Sequence, residues 1–385
     1  MELLKAYFLE RLNRFVVRVD LRGKVVLAYL PNPGRLWEIL LPGTPLLLTK
    51  TSGSKYPYTV IASLRDKKLI LLHTHLTNKI VKKLICNQQF SPLQDYFVER
   101  EEPKTGQGRV DLLLRHRTTQ EPFFLEVKTC TLFGSELAMF PDAETERGTR
   151  HLYELLHLRE KGIRGGLLFV VMNFSCNYFL PAYHIDWNFT KAFLETYSKV
   201  DIWAIALSLS EDLTEVRALK ELQIPIEYLH WVFKDKGIYI LLIEVPEERE
   251  IPIGKLGLFF FPRGYYVYVG SAHNSLSQRL KRYQKPIKNQ HWHIDYLLPY
   301  GKLKHIIPIV TLDRVECTLA SKISSLADQG IYKFGSSDCS CFSHLFYFKE
   351  YPLRIANFVE IVNFFRLEIP TEQIKSFQKG AYLNK

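Results

Sequence analysis

A chain of 385 residues exceeds what one hydrophobic core usually holds, so two or three domains are the starting expectation. With 47% hydrophobic and 24% charged residues it has the balance of a folded globular protein, which excludes a disordered chain. A formal net charge of +11 and a pI near 9.2 give a surface field that attracts polyanions, nucleic acid first and anionic membrane next.

Glu2, Lys5 and Glu10 interrupt the apolar stretch an export signal needs, and six cysteines are scattered without the spacing of a disulfide framework. A reducing, cytoplasmic setting is the expectation. From Phe8 to about Leu72, short apolar runs such as Phe15–Val19 and Lys24–Leu30 alternate with Gly, Pro and Ser turns, which predicts a small all-β barrel or sandwich. Two strands around Val110–Leu114 and Phe123–Lys128 follow, joined by a polar turn, as in a hairpin. A helix is expected over Glu144–Lys161, stopped by Gly162, then a buried strand Leu167–Met172, a helix near Asn188–Lys199 and a strand Ile202–Leu209. The stretch Gly165–Ile185 carries no Lys, Arg, Asp or Glu, yet Asn173, Ser175, Asn177 and Pro181 argue against a membrane span. It is expected to be a buried strand with an irregular return.

Leu222–Lys236 closes this α/β unit, with Lys234-Asp235-Lys236 as a linker. Strands Gly237–Ile243 and Gly264–Gly270 and a basic helix from Ser275 open another domain. Lys349–Lys385 predicts one amphipathic helix and a frayed tip.

The chemistry gathers in two places. Asp111 lies on one strand, and Glu126 and Lys128 lie two apart on the next, so the latter two project from the same face. Carboxylate oxygens are hard ligands for Mg²⁺, which activates water beside a phosphodiester, while the lysine orients or deprotonates that water. By themselves these residues are more simply read as the solvent face of an amphipathic strand; the apolar flank Phe123–Leu125 argues for the end of a central one. Arg147 and His151 lie four apart on a helix, where Arg147 can meet a phosphate or both can form a polar helix face. Glu99, Glu101 and Glu102 are all candidates for a further acid, and spacing does not choose among them.

Pro31-Asn32-Pro33-Gly34-Arg35, Gly108-Arg109-Val110-Asp111, Glu126-Val127-Lys128 and Phe140-Pro141-Asp142-Ala143 running into Thr145-Glu146-Arg147-Gly148 and His151-Leu152 resemble the sugar fermentation stimulation protein family. The resemblance covers residues 1 to about 232. It implies an OB-fold-like domain joined to a PD-(D/E)XK nuclease-like domain, DNA binding, and Asp111, Glu126 and Lys128 as the nuclease motif. Arg35, Arg109, Arg147 and His151 are its candidate nucleic-acid contacts.

In the C-terminal part, Tyr239 and Tyr268 lie on two strands, with Gly270 and then Arg279 on a helix. Together with His291-Trp292-His293-Ile294-Asp295-Tyr296, Glu316-Cys317 and Phe334–Cys339, they resemble the GIY-YIG nuclease family over about residues 237–348. A tyrosine can accept or relay a proton from water, the arginine can hold the scissile phosphate, and the glutamate can bind one divalent metal. Gly270 leaves room for a close approach of backbone or phosphate. Arg263, Arg279, Lys281, Arg282, Lys285 and Lys288 form a run without acids, interleaved with tyrosines, that suits a phosphate-facing surface. Cys339, Cys341 and His344 can ligate zinc, with Cys317 or a histidine, but the spacing fixes no fourth partner and structural cysteines are the expectation. His291 and His293 are expected to alternate along a strand around Trp292.

The resulting expectation is a multidomain α/β chain. It has an OB-like β-barrel (1–80), a PD-(D/E)XK-like α/β/α core with a mixed sheet (81–232), a GIY-YIG-like α/β domain (237–348) and a C-terminal helical extension (349–385). The expected function is phosphodiester hydrolysis on DNA with Mg²⁺ or Mn²⁺ held by Asp111, Glu126 and Glu316. Single-stranded, duplex or branched DNA is the expected partner, with no membrane and with homo-oligomerisation left open. The rival reading is a DNA-binding regulator or scaffold that does not cleave, and a third is an RNA-processing enzyme.

Overall fold

The computed structural model describes residues 2–51, 53, 55–65, 68–105, 108–213, 215–285 and 289–380. It divides into two compact units, Met1–Ile226 and Glu227–Lys385.

In the first unit β1 (Leu4–Asn13), β2 (Val16–Leu21), β3 (Lys24–Tyr29), β4 (Pro45–Lys50), β5 (Tyr58–Arg65) and β6 (Lys68–Leu71) form a sheet in the order β3-β2-β1-β4-β5-β6. Because β3 also pairs with β5, the first five strands close on themselves as an OB-like barrel. Alternate residues such as Ala6, Phe8, Val17, Val19, Leu46 and Leu48 are buried inside it, the period of two expected of barrel strands.

Helix α1 (Thr74–Cys86) leads to β7 (Tyr96–Glu101), a short ribbon of β8 (Lys104–Thr105) and β9 (Gly108–Arg109), then β10 (Leu112–His116) and β11 (Pro122–Cys130). After β12 (Leu132–Phe133) and β13 (Leu137–Phe140) come α2 (Glu146–Glu160), β14 (Arg164–Val171), β15 (Tyr178–Pro181), α3 (Trp187–Thr196), β16 (Asp201–Leu209) and β17 (Val216–Glu221). The main sheet runs β17-β16-β14-β11-β10-β7. It is mixed: β10 and β11 form the antiparallel hairpin, while β11, β14 and β16 are parallel. Central β14 is buried along almost its whole length, as a strand covered on both faces must be. Phe169 stacks on Phe179 with centroids 4.2 Å apart, and Phe189 and Phe193 close the core beneath α3.

The expected irregular return after β14 is a turn followed by a strand. Asn173 Oδ1 accepts from the Ser175 backbone N–H and shapes the turn. Apolar Tyr178–Pro181 then pairs in parallel with β13 in a separate sheet of β12, β13 and β15. No helix among the described residues is long and apolar enough to cross a membrane.

The second unit takes up α4 (Ile226–Val232) and builds a sheet from β18 (Gly237–Val245), β21 (Gly264–Ala272), β22 (Lys302–Val310), β23 (Gln329–Gly330) and β24 (Leu345–Phe348) in the order β22-β18-β21-β24-β23. Every ladder in it is antiparallel. A hairpin of β19 (Arg249–Pro252) and β20 (Leu258–Phe261) and helices α5 (Leu276–Tyr283), α6 (His293–Leu297), α7 (Glu316–Ser324), α8 (Ala356–Asn363) and α9 (Ile369–Gln378) complete it.

Three sequence expectations change here. Asp235 is no loose linker residue, because its carboxylate accepts from the Ser275 and Ser277 hydroxyls and the Ser277 backbone N–H at the start of α5. His291-Trp292-His293 is not a strand: Trp292 caps α6, and Asp295 reaches back to accept from the backbone N–H groups of His291 and Trp292. The single C-terminal helix is two, α8 and α9, joined by a π-helical turn Phe364–Glu368. Arg366 in that turn donates to the Pro308 carbonyl of β22, and Phe358 packs edge-on against Phe348. The expected frayed tip at 381–385 lies outside the described residues, as does Lys288.

Candidate functional site

Helix α1 packs on β11, with Thr129 Oγ1 donating to Thr77 Oγ1 at 2.8 Å across the contact. This brings Asn78 over the entry to β10, where its amide donates to Asp111 Oδ1 at 2.7 Å. Asp111 Oδ2 accepts from the Val127 backbone N–H at 2.8 Å, which locks the two strands of the hairpin together and sets Asp111 beside Glu126. Burial, with the Glu126 charge second, pushes the Asp111 carboxyl up to about 6.

Glu126 is 2% exposed, and its Oε1 lies 2.5 Å from both Lys128 Nζ and His151 Nδ1. Burial alone would raise its pKa, but hydrogen bonding and charge from His151 and Lys128 outweigh that and hold it below the ordinary glutamate value. His151 sits on α2, whose start is fixed by Thr145 accepting from the Gly148 N–H and by Asp186 accepting from the Thr145 N–H. Arg147 Nε reaches His151 Nε2 at 3.4 Å, which leaves Nδ1 as the nitrogen that donates to Glu126. Glu126 Oε2 is buried and has no hydrogen-bonding partner among the described residues. Such an atom, next to the half-buried Asp111 carboxylate, fits a bound cation.

These groups line a cavity of about 320 Å³ within the first unit. Asp111, Glu126, Lys128 and Arg147 all face it, with His151 packed directly behind Glu126. Of the candidate further acids, none lines it: Glu99 pairs with Arg115, Glu101 with Lys82 and Glu102 with Arg109, all at the surface. Asp142 and Glu144 line it instead. Arg109 is exposed on the β8–β9 ribbon and Arg35 lies over the Trp37 ring, so neither faces the cavity, whereas Arg14 does. The Pro31–Arg35 turn is held from below by Arg11, whose guanidinium donates to the carbonyls of Arg14, Asn32, Gly34 and Arg35. Asn78, Arg14 and Asp142 were missed as site residues; only Asp142 stood inside a recognisable motif.

In the second unit the strand pairing sets Tyr239 opposite Gly270, and a Cβ on Gly270 would lie 2.5 Å from the Tyr239 Cζ. The glycine therefore makes room for that ring, a nearer reason than the approach of a phosphate. Tyr239 is fully buried, its hydroxyl 2.7 Å from that of Tyr283, and its ring lies 6.4 Å from that of Tyr268. Burial, then the neighbouring tyrosines, pushes the Tyr239 phenol far up, and burial does the same to Tyr268. Both stay neutral, suited to donating or relaying a proton rather than acting as phenolate bases. Arg279 joins Tyr239 and Tyr283 by hydrogen bonds and stacks 3.9 Å over the Trp292 ring.

Arg282, expected to contact nucleic acid, is committed elsewhere: it forks onto the fully buried Asp295 at 2.7 and 2.8 Å. Lys281 and Lys285 remain exposed. His293 Nδ1 accepts from the Gly335 backbone N–H at 2.9 Å. Glu316 does not cap its helix; its Oε1 lies 3.1 Å from Nδ1 of buried His344.

The model of the SfsA N-terminal OB domain matches residues 9–72, that of the sugar fermentation stimulation protein RE domain matches 75–213, and that of DUF123, a domain of unknown function, matches 238–366. A sugar fermentation stimulation protein homolog of Clostridium tetani is 33% identical over 216 residues, which is 55% of this chain and 94% of that protein. The chain belongs to the sugar fermentation stimulation protein family. A homolog from Methanosphaera stadtmanae is 36% identical over 208 residues, covering 52% of this chain and 86% of that relative. Among solved structures, Pyrococcus furiosus SfsA in complex with Ca²⁺ matches with a TM-score of 0.54 and 28% identity, over 58% of this chain and 96% of that one. This family member therefore carries, beyond the part shared with these relatives, a C-terminal domain with a GIY-YIG-like fold.

Proposed function

We propose that the chain is a DNA-binding, Mg²⁺- or Mn²⁺-dependent nuclease whose cleaving centre is the cavity of Asp111, Glu126 and Lys128. The observation that carries this reading is the buried Glu126 Oε2, which has no hydrogen-bonding partner among the described residues and stands beside Asp111, while Lys128 and His151 answer only Oε1. Asp111 and Glu126 Oε2 would hold the ion, with Asp142 as a nearby acid. A divalent cation there lowers the pKa of a bound water and neutralises charge on a phosphodiester. Lys128, fixed against Glu126 Oε1, presents its ammonium to the attacking water and the phosphate oxygens, while His151 keeps Glu126 ionised and oriented. Arg147 and Arg14 at the cavity wall are placed to hold flanking phosphates. The Pyrococcus furiosus relative was solved with Ca²⁺, an ion that takes the same oxygen donors.

The second unit supports a phosphate-holding role through Arg279, Lys281 and Lys285, with Glu316 as the acid able to take a second cation. A second reading, binding without cleavage, is favoured for this unit alone by the burial of Tyr239 and its hydrogen bond to Tyr283.

The test incubates the full chain with single-stranded, duplex and branched DNA and structured RNA, with Mg²⁺ or Mn²⁺, alongside Lys128→Ala, Arg279→Ala and the double variant. Cleavage of DNA lost in Lys128→Ala and merely weakened in Arg279→Ala is expected. Binding without any cleavage by the parent chain would replace the proposal with the scaffold reading, and preferred cutting of RNA would replace its substrate.

A further inference from the structure

The cysteines of the second unit are not scattered in space. Cys317 stands in the first turn of α7, Cys339 and Cys341 lie in the loop before β24, and His344 immediately precedes that strand. One ligand atom from each of the four lies within 4.8 Å of every other. His344 Nε2 is 3.6 Å from Cys339 Sγ and 4.0 Å from Cys317 Sγ. A tetrahedral ion with Zn–S near 2.3 Å and Zn–N near 2.1 Å has ligand–ligand edges of roughly 3.6–3.8 Å, so the cluster already stands close to the shape such an ion requires. All three cysteines are free thiols.

We propose that Cys317, Cys339, Cys341 and His344 form a zinc site. The donor set selects the metal: three thiolates and an imidazole are soft ligands that suit Zn²⁺ and reject Mg²⁺ and Ca²⁺. Four protein ligands fill a tetrahedron and leave no open position, which makes the site structural, not catalytic.

His344 is prepared for the role. It is 2% exposed, its backbone N–H donates to the Phe334 carbonyl at 2.8 Å, and its carbonyl accepts from the Val269 N–H at 2.9 Å. Glu316 Oε1 accepts from Nδ1 at 3.1 Å, which fixes the tautomer and turns the Nε2 lone pair toward the sulfurs. A carboxylate behind a histidine ligand is the usual outer support of a zinc site. Gly335, at φ +70, turns the loop where a Cβ would lie 2.8 Å from the Tyr268 ring and 3.2 Å from the His344 Cβ.

The zinc would thus staple the start of α7 to the loop before β24 and hold Glu316 and Tyr268 in register. Glu316 becomes a positioning residue through His344, with its second oxygen left for other partners. The site stands whether or not either unit cleaves DNA.

The test uses the full chain, free of any histidine tag and purified under reducing conditions. Elemental analysis should find one zinc per chain that is released in step with titration of the thiols by an organomercurial. Exchange for Co²⁺ should give the intense visible bands of a tetrahedral ion together with thiolate-to-cobalt charge-transfer absorption. Cys317→Ser and Cys341→Ser should each cut zinc content to a small fraction, and Cys86→Ser should leave it unchanged. Absence of the charge-transfer absorption in the parent chain, a disulfide in place of metal under those conditions, or full zinc content in the Cys339→Ser/Cys341→Ser double variant would overturn the site. The parent-chain cobalt spectrum decides even if the variants fail to fold.

Discussion

The two units place acids in opposite electrostatic situations. In the first, buried Glu126 and half-buried Asp111 face one cavity, and Glu126 Oε2 has no hydrogen-bonding partner among the described residues. In the second, Tyr239, Tyr283 and Arg279 satisfy one another, and Glu316 is answered by His344. Motifs that look equally catalytic in sequence therefore differ in what they demand. The first leaves an acid oxygen open toward its cavity, where the proposed cation would sit, while the tyrosines and arginine of the second already answer one another.

The largest effect should come from Lys128→Ala. Loss of a positioned proton-transfer and charge-stabilising group typically costs about 10²–10⁴ in rate, so single-turnover cleavage with Mg²⁺ should fall by at least about a hundredfold. If Arg279→Ala causes that loss instead, the contrast between the units is reversed.

The contrast sharpens with pH. Burial and the neighbouring Glu126 charge push the Asp111 carboxyl up to about 6, from the 3.8 of an aspartate in water, a tighter hold on the proton of roughly 3 kcal/mol. Because its pKa is raised, the fold binds this proton more tightly than the unfolded chain does. The metal-free chain should therefore gain stability from this group as pH falls from 7 toward 4, and Asp111→Asn should remove that gain in urea titrations. Cation affinity should move the other way, weakening about tenfold per pH unit below about 6, because the carboxylate must first lose its proton. Glu126 contributes with the opposite sign: its lowered pKa gives stability that is present above about 4.5 and is lost on further acidification.

A third effect belongs to the second unit. Gly270→Ala drives a Cβ to within 2.5 Å of the Tyr239 ring and should cost about 1–3 kcal/mol by overpacking, read as a lower denaturation midpoint of the full chain. Tyr239→Leu combined with Gly270→Ala should recover part of that loss; no recovery would mean that another contact makes the glycine necessary. The smallest effect is expected at Lys281. Lys281→Ala should weaken DNA binding only severalfold and lower the salt dependence by about one counterion, since an exposed ammonium acts through charge alone.

What the sequence disclosed follows physical range. The hairpin carrying Asp111 and Glu126, the buried run of β14 and the apolar β18 were legible because strand burial writes itself as local runs and alternations. His291-Trp292-His293 misled for the same reason: three large side chains mimic a strand, while the Asp295 cap that starts α6 reaches backward and is decided by geometry. Asn78 left no signal, since its partner Asp111 is met only when α1 packs on β11. Cys317 stood among the candidate partners of Cys339, Cys341 and His344, but spacing could not choose it over a histidine, because it belongs to another element and meets them only in the fold. Asp142, within Phe140-Pro141-Asp142-Ala143, carried a local signal of its own.

The central claim is that Asp111 and Glu126 together form a site for a hard divalent cation. Calorimetric titration of Mn²⁺ into the full chain, incubated beforehand with one equivalent of Zn²⁺, at pH 7.5, about 1.5 pH units above the point at which Asp111 gains its proton, tests it directly. The account predicts a saturable site that is lost in both Asp111→Asn and Glu126→Gln and retained in Arg279→Ala. Binding of unchanged strength in the Asp111→Asn/Glu126→Gln double variant, or no binding by the parent chain, would contradict it.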